Sequence, residues 1–257
     1  MKTHFTLAFV LSLLLAATMT ASPQTALTAQ DIVARSVKAH GGDRLTNWRT
    51  LQVTGTVDME DGITYRAAYR LLATLPGRLR VDQDMTAGGG RLFYEYFLDN
   101  GTAWSRRNLI PGKADPKRLE RWLNQCFGIA YYARQASALA LQPEAAVEWK
   151  APAERGSATL KVVDTTPAYV VRATLDGSTV DLFFDKTRFY LLQEVTPEGR
   201  RVFCDFKDFA GVTLATRVNE ITTSRQGEVL TPYVYLTVKY NQPIEDWLFE
   251  EDKPVKR

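Results

Sequence analysis

The sequence predicts a mainly β protein in which a single, strongly curved antiparallel sheet is accompanied by an N-terminal helix and one inserted helix. Residues 178–249 form one amphipathic hairpin after another, with turns at 197–199, at Gly211 and at 226–227. Strand-length segments with short turns also fill residues 50–108. Strands joined by such short turns must be antiparallel, so the sheet is expected to be antiparallel throughout.

The first 21 residues are predicted to be a secretory signal peptide. Lys2 and His4 give a short basic start, an apolar run covers 5–17, and small residues follow up to Ala21. The run is too short for a membrane span with its flanks. We therefore expect a mature chain of one domain, residues 22–257, which is about 236 residues long.

The net charge is too small to indicate a nucleic-acid partner. The formal charge of +3 becomes +2 once Lys2 leaves with the signal peptide. Residues 106–121 contain a surplus of basic residues, with only two acidic residues, Asp115 and Glu120, among them. The basic residues are Arg106, Arg107, Lys113, Lys117, Arg118 and Arg121. This surplus is either a solvated loop and helix start or a patch that meets anionic lipid or an acidic partner.

The N-terminal helix is predicted over 28–38, because Thr28 and Asp31 have the spacing of an N-cap and Gly41-Gly42 follows the last turn. The strands predicted after it cover about 50–58, 63–74, 78–84, 91–98 and 102–108.

The inserted helix is predicted over 116–139, with Pro116 in the first turn, where proline is tolerated. Apolar residues lie nearly all round it, so it should pack on two sides, against the sheet and against a ligand or a second helix. Gly128 in its middle weakens a helix by ~1 kcal/mol relative to alanine and would allow a bend. The strands expected between this helix and the final hairpins cover about 146–150, 158–164 and 168–175.

No catalytic or cofactor motif is apparent. His40 is the single histidine of the predicted mature chain, and its ring, as a cation, would suit the end of the N-terminal helix. One histidine cannot build a multi-histidine zinc site, and the chain has no nucleophile elbow and no phosphate-binding glycine motif. We therefore expect neither a cofactor nor a metal, and no enzymatic activity.

One pair of carboxylates leaves an enzymatic alternative open. Asp82 and Asp84 share one face of a strand and could serve a secreted hydrolase of glycan or lipid, which needs two positioned carboxylates. The preferred interpretation is a solvent-facing strand surface with Arg80 interspersed.

The two cysteines of the chain also allow two interpretations. In an oxidising compartment Cys126 and Cys204 could form a disulfide, worth about 4 kcal/mol in the chain-entropy picture. Equally, they could be two separate buried thiols.

Large apolar side chains are numerous enough to line a lipid cavity. The segment 91–98 is apolar on both faces, which indicates cover on both sides. For any single residue an ordinary core is the preferred interpretation, and the lipid cavity is proposed for the residues taken together. The candidate lipid-binding residues are Tyr65, Tyr69, Phe93, Phe97, Trp104, Trp122, Phe127 and Phe183.

Four segments, in their order along the chain, resemble the LolA/LolB-like superfamily of periplasmic lipoprotein-sorting and lipid-carrier proteins. They are Lys38-Ala39-His40-Gly41-Gly42 with the strand 51–56, Phe184-Asp185 with the hairpin through Pro197-Glu198-Gly199, the strand start at 206–214, and the closing segment 241–249. Ala215 stands where the family usually has proline, and the chain is longer than a typical LolA.

The resemblance implies an incomplete antiparallel β-barrel with helices across its open side, around an apolar cavity for acyl chains. It further implies a periplasmic, non-enzymatic carrier or sensor. The partners expected from it are an acyl lipid or lipoprotein and a membrane-associated donor or acceptor protein, but no nucleic acid.

Overall fold

The computed structural model describes residues 26–60, 64–87, 90–126, 128–152, 160–175, 177–224 and 227–249. The predicted signal peptide, residues 1–21, lies outside the described residues. No helix in the described ranges combines the length and the hydropathy that a membrane crossing requires.

Thirteen strands form one sheet in which neighbouring strands run antiparallel. The first group is Thr50–Glu60, Thr64–Thr74, Arg78–Ala87, Gly90–Asp99, Thr102–Arg107 and Ile110–Lys113 (β1 to β6). The second group is Ala138–Pro152, Leu160–Leu175, Ser178–Asp185, Leu191–Thr196, Gly199–Phe209, Val212–Ser224 and Gly227–Tyr240 (β7 to β13).

The sheet is an incomplete barrel. Its strand order is β6-β5-β4-β3-β2-β1-β13-β12-β11-β10-β9-β8-β7, so β6 and β7 form its two edges and do not pair with each other. The first strand and the last strand lie side by side at the centre, where Leu51 is opposite Tyr240 and Val57 is opposite Tyr233. The predicted fold class, a curved antiparallel sheet with helices, is confirmed.

The N-terminal helix, Ala29–Ala39 (α1), begins at the predicted cap. The Thr28 hydroxyl accepts a hydrogen bond from the backbone N–H of Asp31 at 3.1 Å, and the Asp31 carboxylate accepts one from the backbone N–H of Thr28 at 3.0 Å. This reciprocal pair satisfies two donors that the helix leaves free. A further short helix, Asp43–Thr46 (α2), follows Gly41-Gly42 and was not predicted.

The single inserted helix predicted over 116–139 is wrong in two respects. The segment forms two helices, Pro116–Gln125 (α3) and Gly128–Gln135 (α4), because Gly128 has a φ of +47°, a left-handed conformation that interrupts a helix. Strand β7 then begins at Ala138, where Leu139 pairs with Ala173 of β8. The predicted strands 158–164 and 168–175 are likewise one strand, β8.

The main hydrophobic core lies on the inner face of the sheet, which is the face that carries Val53, Leu71 and Val81. Helices α1, α3 and α4 pack on this face through Ile32, Leu123 and other buried side chains. A second, smaller cluster joins strands β7 to β12; its buried members are Val147, Ala168, Leu192, Val202 and Ile221.

Candidate functional site

A pocket of about 170 Å³ lies between the inner face of the sheet and the helices α3 and α4. Part of its apolar lining comes from the four neighbouring strands β3, β2, β1 and β13 and from helix α4, and includes Leu51, Val53, Leu71, Val81, Ile129 and Val238. The open side of the incomplete barrel is therefore not fully packed, and an apolar space remains beneath the helices.

Three tyrosines form one wall of the pocket. Tyr69 stacks on Tyr235 with ring centroids 6.2 Å apart and meets the edge of Tyr233 at 5.4 Å. Gly55 lies between Tyr69 and Tyr235 in the register of strands β2, β1 and β13. A Cβ atom at Gly55 would collide with the Val234 carbonyl oxygen, so this strand position requires glycine.

The tyrosine hydroxyls stay protonated at neutral pH. Burial raises the pKa of Tyr69, Tyr233 and Tyr235, with further contributions from nearby groups, such as Glu220 beside Tyr233. The wall therefore offers neutral hydroxyl groups within a mainly apolar surface.

A buried ion pair lies beside this wall. Arg201 lines the pocket, and both its Nε and its Nη2 donate hydrogen bonds to Oε2 of Glu194, the former at 3.1 Å. Glu194 is only 1% exposed. Burial by itself lowers the pKa of Arg201, but Glu194 more than offsets this and raises it, so the guanidinium remains charged. Sequence reasoning missed both residues as site residues.

A polar cleft of about 330 Å³ adjoins the pocket and shares Trp122, Arg201 and Glu220 with it. The cleft lies between α3 and the β10–β11 hairpin. Its charged lining consists of Arg118, Arg121, Arg200 and Arg201 with Asp115, Glu194, Glu198 and Glu220. Arg121 of α3 forms an ion pair with Glu198 of the hairpin at 2.5 Å across the cleft.

His40 lines the other side of the pocket as a neutral ring. Its Nε2 accepts a hydrogen bond from the Leu191 backbone N–H at 3.1 Å, so its proton must be on Nδ1, which lies 2.7 Å from the Thr213 carbonyl oxygen. Burial lowers the pKa of His40. The expectation of a cationic ring at the helix end is therefore wrong, since burial outweighs the helix dipole.

The structure brings two of the predicted lipid-binding residues to the pocket. Tyr69 contributes to the tyrosine wall, and Trp122 of α3 covers the junction with the cleft. Trp122 meets the edge of Tyr96 at 5.5 Å and has the Arg118 guanidinium 4.7 Å from its ring centroid. Phe183 lies elsewhere and packs against the smaller cluster.

Two more of these residues lie together on the outer face of the sheet. Phe97 and Trp104 stack with centroids 5.3 Å apart, and neither lines the pocket. Phe93 shares the strand face of Phe97 by alternation. The segment 91–98 has large apolar side chains on both faces, as predicted. Its outer face is covered by a charged network and by a closing 3-10 helix, Asp246–Phe249. The side chain of Tyr65 and the whole of Phe127 lie outside the described residues.

The outer-face network contains Asp82, one of the two carboxylates proposed for the hydrolase alternative. Asp82 is 5% exposed; its Oδ1 accepts from Nε of Arg80 at 2.8 Å and its Oδ2 from Nε of Arg70 at 2.6 Å. Arg80 also donates to Glu95, which pairs with Arg106. The predicted solvent-facing surface is wrong for Asp82 and Arg80, because the closing 3-10 helix and neighbouring aromatic rings cover them.

The predicted basic surplus is divided between two sites. Arg106 belongs to the outer-face network, whereas Arg118 and Arg121 lie at the polar cleft. The exposed Lys113 and Lys117 remain available to solvent. A single anionic-lipid patch is therefore not formed by all six residues.

Both cysteines are free thiols, so the disulfide alternative is wrong. Cys126 lines the pocket and donates a hydrogen bond to the Trp122 carbonyl oxygen, whereas Cys204 packs on the smaller cluster. Burial raises the pKa of Cys126 to about 12 and that of Cys204 to about 11, so neither thiol is an activated nucleophile at neutral pH.

Solved structures of two other proteins share this fold over most of the chain. A LolA superfamily protein from Nitrosomonas europaea is 14% identical with a TM-score of 0.55, covering 88% of this chain and 98% of that one. A DUF1329 family protein from Desulfovibrio piger is 12% identical with a TM-score of 0.54, at the same coverage.

A putative outer membrane lipoprotein-sorting protein domain from Vibrio parahaemolyticus is 10% identical, with a TM-score of 0.48 over 85% of this chain and 97% of that one. No protein-family model matches the chain, and no curated protein matches it in sequence. The predicted resemblance is thus confirmed at the level of architecture: the chain has the fold of the LolA superfamily.

Proposed function

We propose that the protein is a periplasmic, non-enzymatic carrier or sensor that binds an acyl lipid or the acyl chains of a lipoprotein in the pocket beneath α3 and α4. The observation that carries this proposal is the apolar, tyrosine-walled pocket at the open side of the incomplete barrel. The fold shared with a LolA superfamily protein supports it.

The pocket is small for such a ligand, which argues for a movable cover. Ligand pockets commonly measure about 300–1,000 Å³, whereas this one measures about 170 Å³. A chain of ~15 methylenes gains on the order of 12 kcal/mol gross on burial, which is ample to drive opening. We therefore expect the described structure to represent the closed form of this cover.

Helix α3 is the part of the cover that can move. It ends just before the break at Gly128, and its ion pair to the opposite hairpin, Arg121 to Glu198, is exposed and therefore weak. Trp122, which lies between pocket and cleft, would move with this helix. Outward rotation of α3 would join the pocket to the cleft.

The chemistry of the described residues supports a binding role over a catalytic one. Both oxygens of Asp82 are engaged by arginines, both nitrogens of His40 are engaged by the backbone, and the Cys126 thiol is protonated. Export through the predicted signal peptide, residues 1–21, would place the domain 22–257 in the periplasm. A membrane-associated protein would then donate or accept the cargo.

Titration of the delipidated mature protein with a fluorescent fatty acid tests the proposal. We expect saturable binding that is lost in Val238→Glu, because Val238 lines the pocket and a carboxylate there would oppose an acyl chain. The matched control is Leu236→Glu on the same strand. Leu236 is 67% exposed and lies at the register shift opposite Thr54 and Gly55, so binding should be unchanged.

Circular dichroism must show that both variants are folded. Absence of saturable binding by the parent protein would refute the proposal. Equal binding by the two variants would show that the ligand does not bind in this pocket.

A further inference from the structure

We propose that the ligand has an uncharged polar head with a hydrogen-bond donor beside an acceptor, as in an acyl amide or a monoacylglycerol, and that Arg201 and Glu194 bind this head. The inference rests on the proposed function, since it assumes that the acyl chain occupies the apolar pocket. It adds which class of lipid the site selects.

The position of Arg201 fixes where a head group would lie. Arg201 lines both the apolar pocket and the polar cleft, together with Trp122 and Glu220. An amphiphile with its chain in the pocket must pass from apolar to polar surroundings at these residues. Its head would therefore lie against the Arg201–Glu194 pair.

This ion pair leaves one donor and one acceptor unused. Arg201 directs both Nε and Nη2 to the same oxygen, Oε2 of Glu194, and no hydrogen bond within the described residues engages its Nη1. Oε1 of Glu194 is buried and has no partner at normal hydrogen-bond distance among the described residues; the nearby Tyr132 hydroxyl interacts with this carboxylate but leaves it capacity for a further donor. Buried polar atoms are seldom left in this state, because an unmade hydrogen bond is costly.

A ligand group that accepts from Nη1 and donates to Oε1 would satisfy both atoms at once. An amide, with its C=O and N–H, has this pattern, and so has a glycerol ester with a free hydroxyl. A carboxylate can only accept, so it would leave Oε1 of Glu194 unpaired and place a second negative charge beside it.

The charges of the cleft also favour an uncharged head. Its lining holds four arginines and four carboxylates, which gives no formal excess of either sign. Three of the arginines already have acidic partners: Arg121 with Glu198, Arg200 with Glu228, and Arg201 with Glu194. The fourth, Arg118, lies over the Trp122 ring and is exposed to solvent, so it would compensate only weakly for the desolvation of an anionic head.

Competition among amphiphiles with the same lauroyl or dodecyl chain tests the inference. The mature protein is loaded with an uncharged probe, a fluorescently labelled monoacylglycerol, which is displaced by monolauroylglycerol, N-lauroylethanolamine, laurate or dodecyltrimethylammonium below their critical micelle concentrations. We expect the two uncharged lipids to displace the probe at concentrations at least about tenfold lower than either ion.

A substitution of Glu194, the proposed acceptor, gives a second test. Glu194→Gln leaves the Arg201 charge uncompensated, so laurate should become the better competitor by about tenfold or more, and the uncharged lipids should lose their advantage. Asp181→Asn is the matched control, because it removes one negative charge from an ion pair with Arg172 outside both cavities.

The outcomes separate the two proposals. Equal displacement by all four amphiphiles, or stronger displacement by laurate from the parent protein, would overturn the head-group inference while leaving acyl-chain binding intact. Failure of the probe to bind at all would overturn the proposed function and the inference with it. The selectivity of the parent protein decides the matter even if Glu194→Gln does not fold.

Discussion

The His40 ring joins three distant parts of the chain at the edge of the pocket. It follows the last turn of α1, donates to the Thr213 carbonyl oxygen in β12 and accepts from the Leu191 N–H at the start of β10. Tyr190 and Phe206 flank it with ring centroids 5.2 and 5.8 Å away. A neutral imidazole can make both hydrogen bonds, whereas an imidazolium loses the one from Leu191.

This arrangement predicts a stability that declines in mild acid. The folded-state pKa of His40 lies below its ordinary value near 6.5. The folded protein therefore binds fewer protons than the unfolded chain, and the contribution of His40 is present above about pH 6.5 and is lost as the pH falls through the lowered pKa. Urea unfolding at about pH 7.5 and about pH 5 measures the decline.

The His40→Gln variant is the control for the other titrating groups. It should be less stable at neutral pH by ~1–3 kcal/mol, because one buried hydrogen bond is lost, and should show a smaller decline toward acid. An identical decline in parent and variant would contradict the neutral buried ring.

Among the helices and strands, cap and turn signals in the sequence predicted the features that neighbouring residues determine. The cap of α1 and the hairpins after residue 178 follow from turn and cap chemistry in the sequence, whereas Gly128, expected only to allow a bend, interrupts the inserted helix. Residues 138–142 have helix-favouring composition, yet they form the start of β7, because pairing with 170–174 of β8 outweighs a weak propensity.

Part of the site could not be predicted from the sequence, because long-range packing decides it. Tyr69 and Trp122 could be proposed from apolar patterning, but Arg201 and Glu194 look like ordinary charged positions on a hairpin. Their burial follows from the packing of α3 and α4 over the sheet, which is a long-range arrangement. Alternation could have hinted at Arg201, since it shares a strand face with the apolar, pocket-lining Phe203.

The break between α3 and α4 gives a prediction for Gly128. A Cβ atom there would meet no neighbour within 4 Å, so Gly128→Ala should act only through the left-handed backbone conformation and lower stability by ~1–2 kcal/mol. Thermal or urea unfolding measures this loss. Gly112→Ala, on the exposed edge strand β6, is the control and should cost less; a larger loss there would argue against a backbone effect at Gly128.

At the scale of the whole molecule, the C-terminal segment covers the outer face of the sheet. The Phe249 side chain is 1% exposed, and the Arg78 guanidinium lies 4.6 Å from its ring centroid. The Leu248 carbonyl oxygen accepts from Nη1 of Arg80 at 2.9 Å, and Asp246 pairs with Arg78. Residues 246–249 thus keep the Arg80–Asp82–Glu95 network out of water.

Phe249→Ala should therefore destabilise the protein strongly. Loss of a buried phenylalanine typically costs ~3–5 kcal/mol, and here it would also admit water to buried charges. Trp247→Ala in the same short helix is the control, because that side chain is 43% exposed and should matter little. Comparable losses of unfolding free energy in the two variants would contradict the role assigned to Phe249.

Native mass spectrometry of the protein, purified gently from an envelope fraction, would show directly whether it carries an acyl lipid. We expect a population whose excess mass equals one acyl lipid, which disappears on delipidation and is absent from folded Val238→Glu but present in Leu236→Glu. A protein that carries no lipid from the envelope, and takes up none when acyl lipids are supplied, would contradict it.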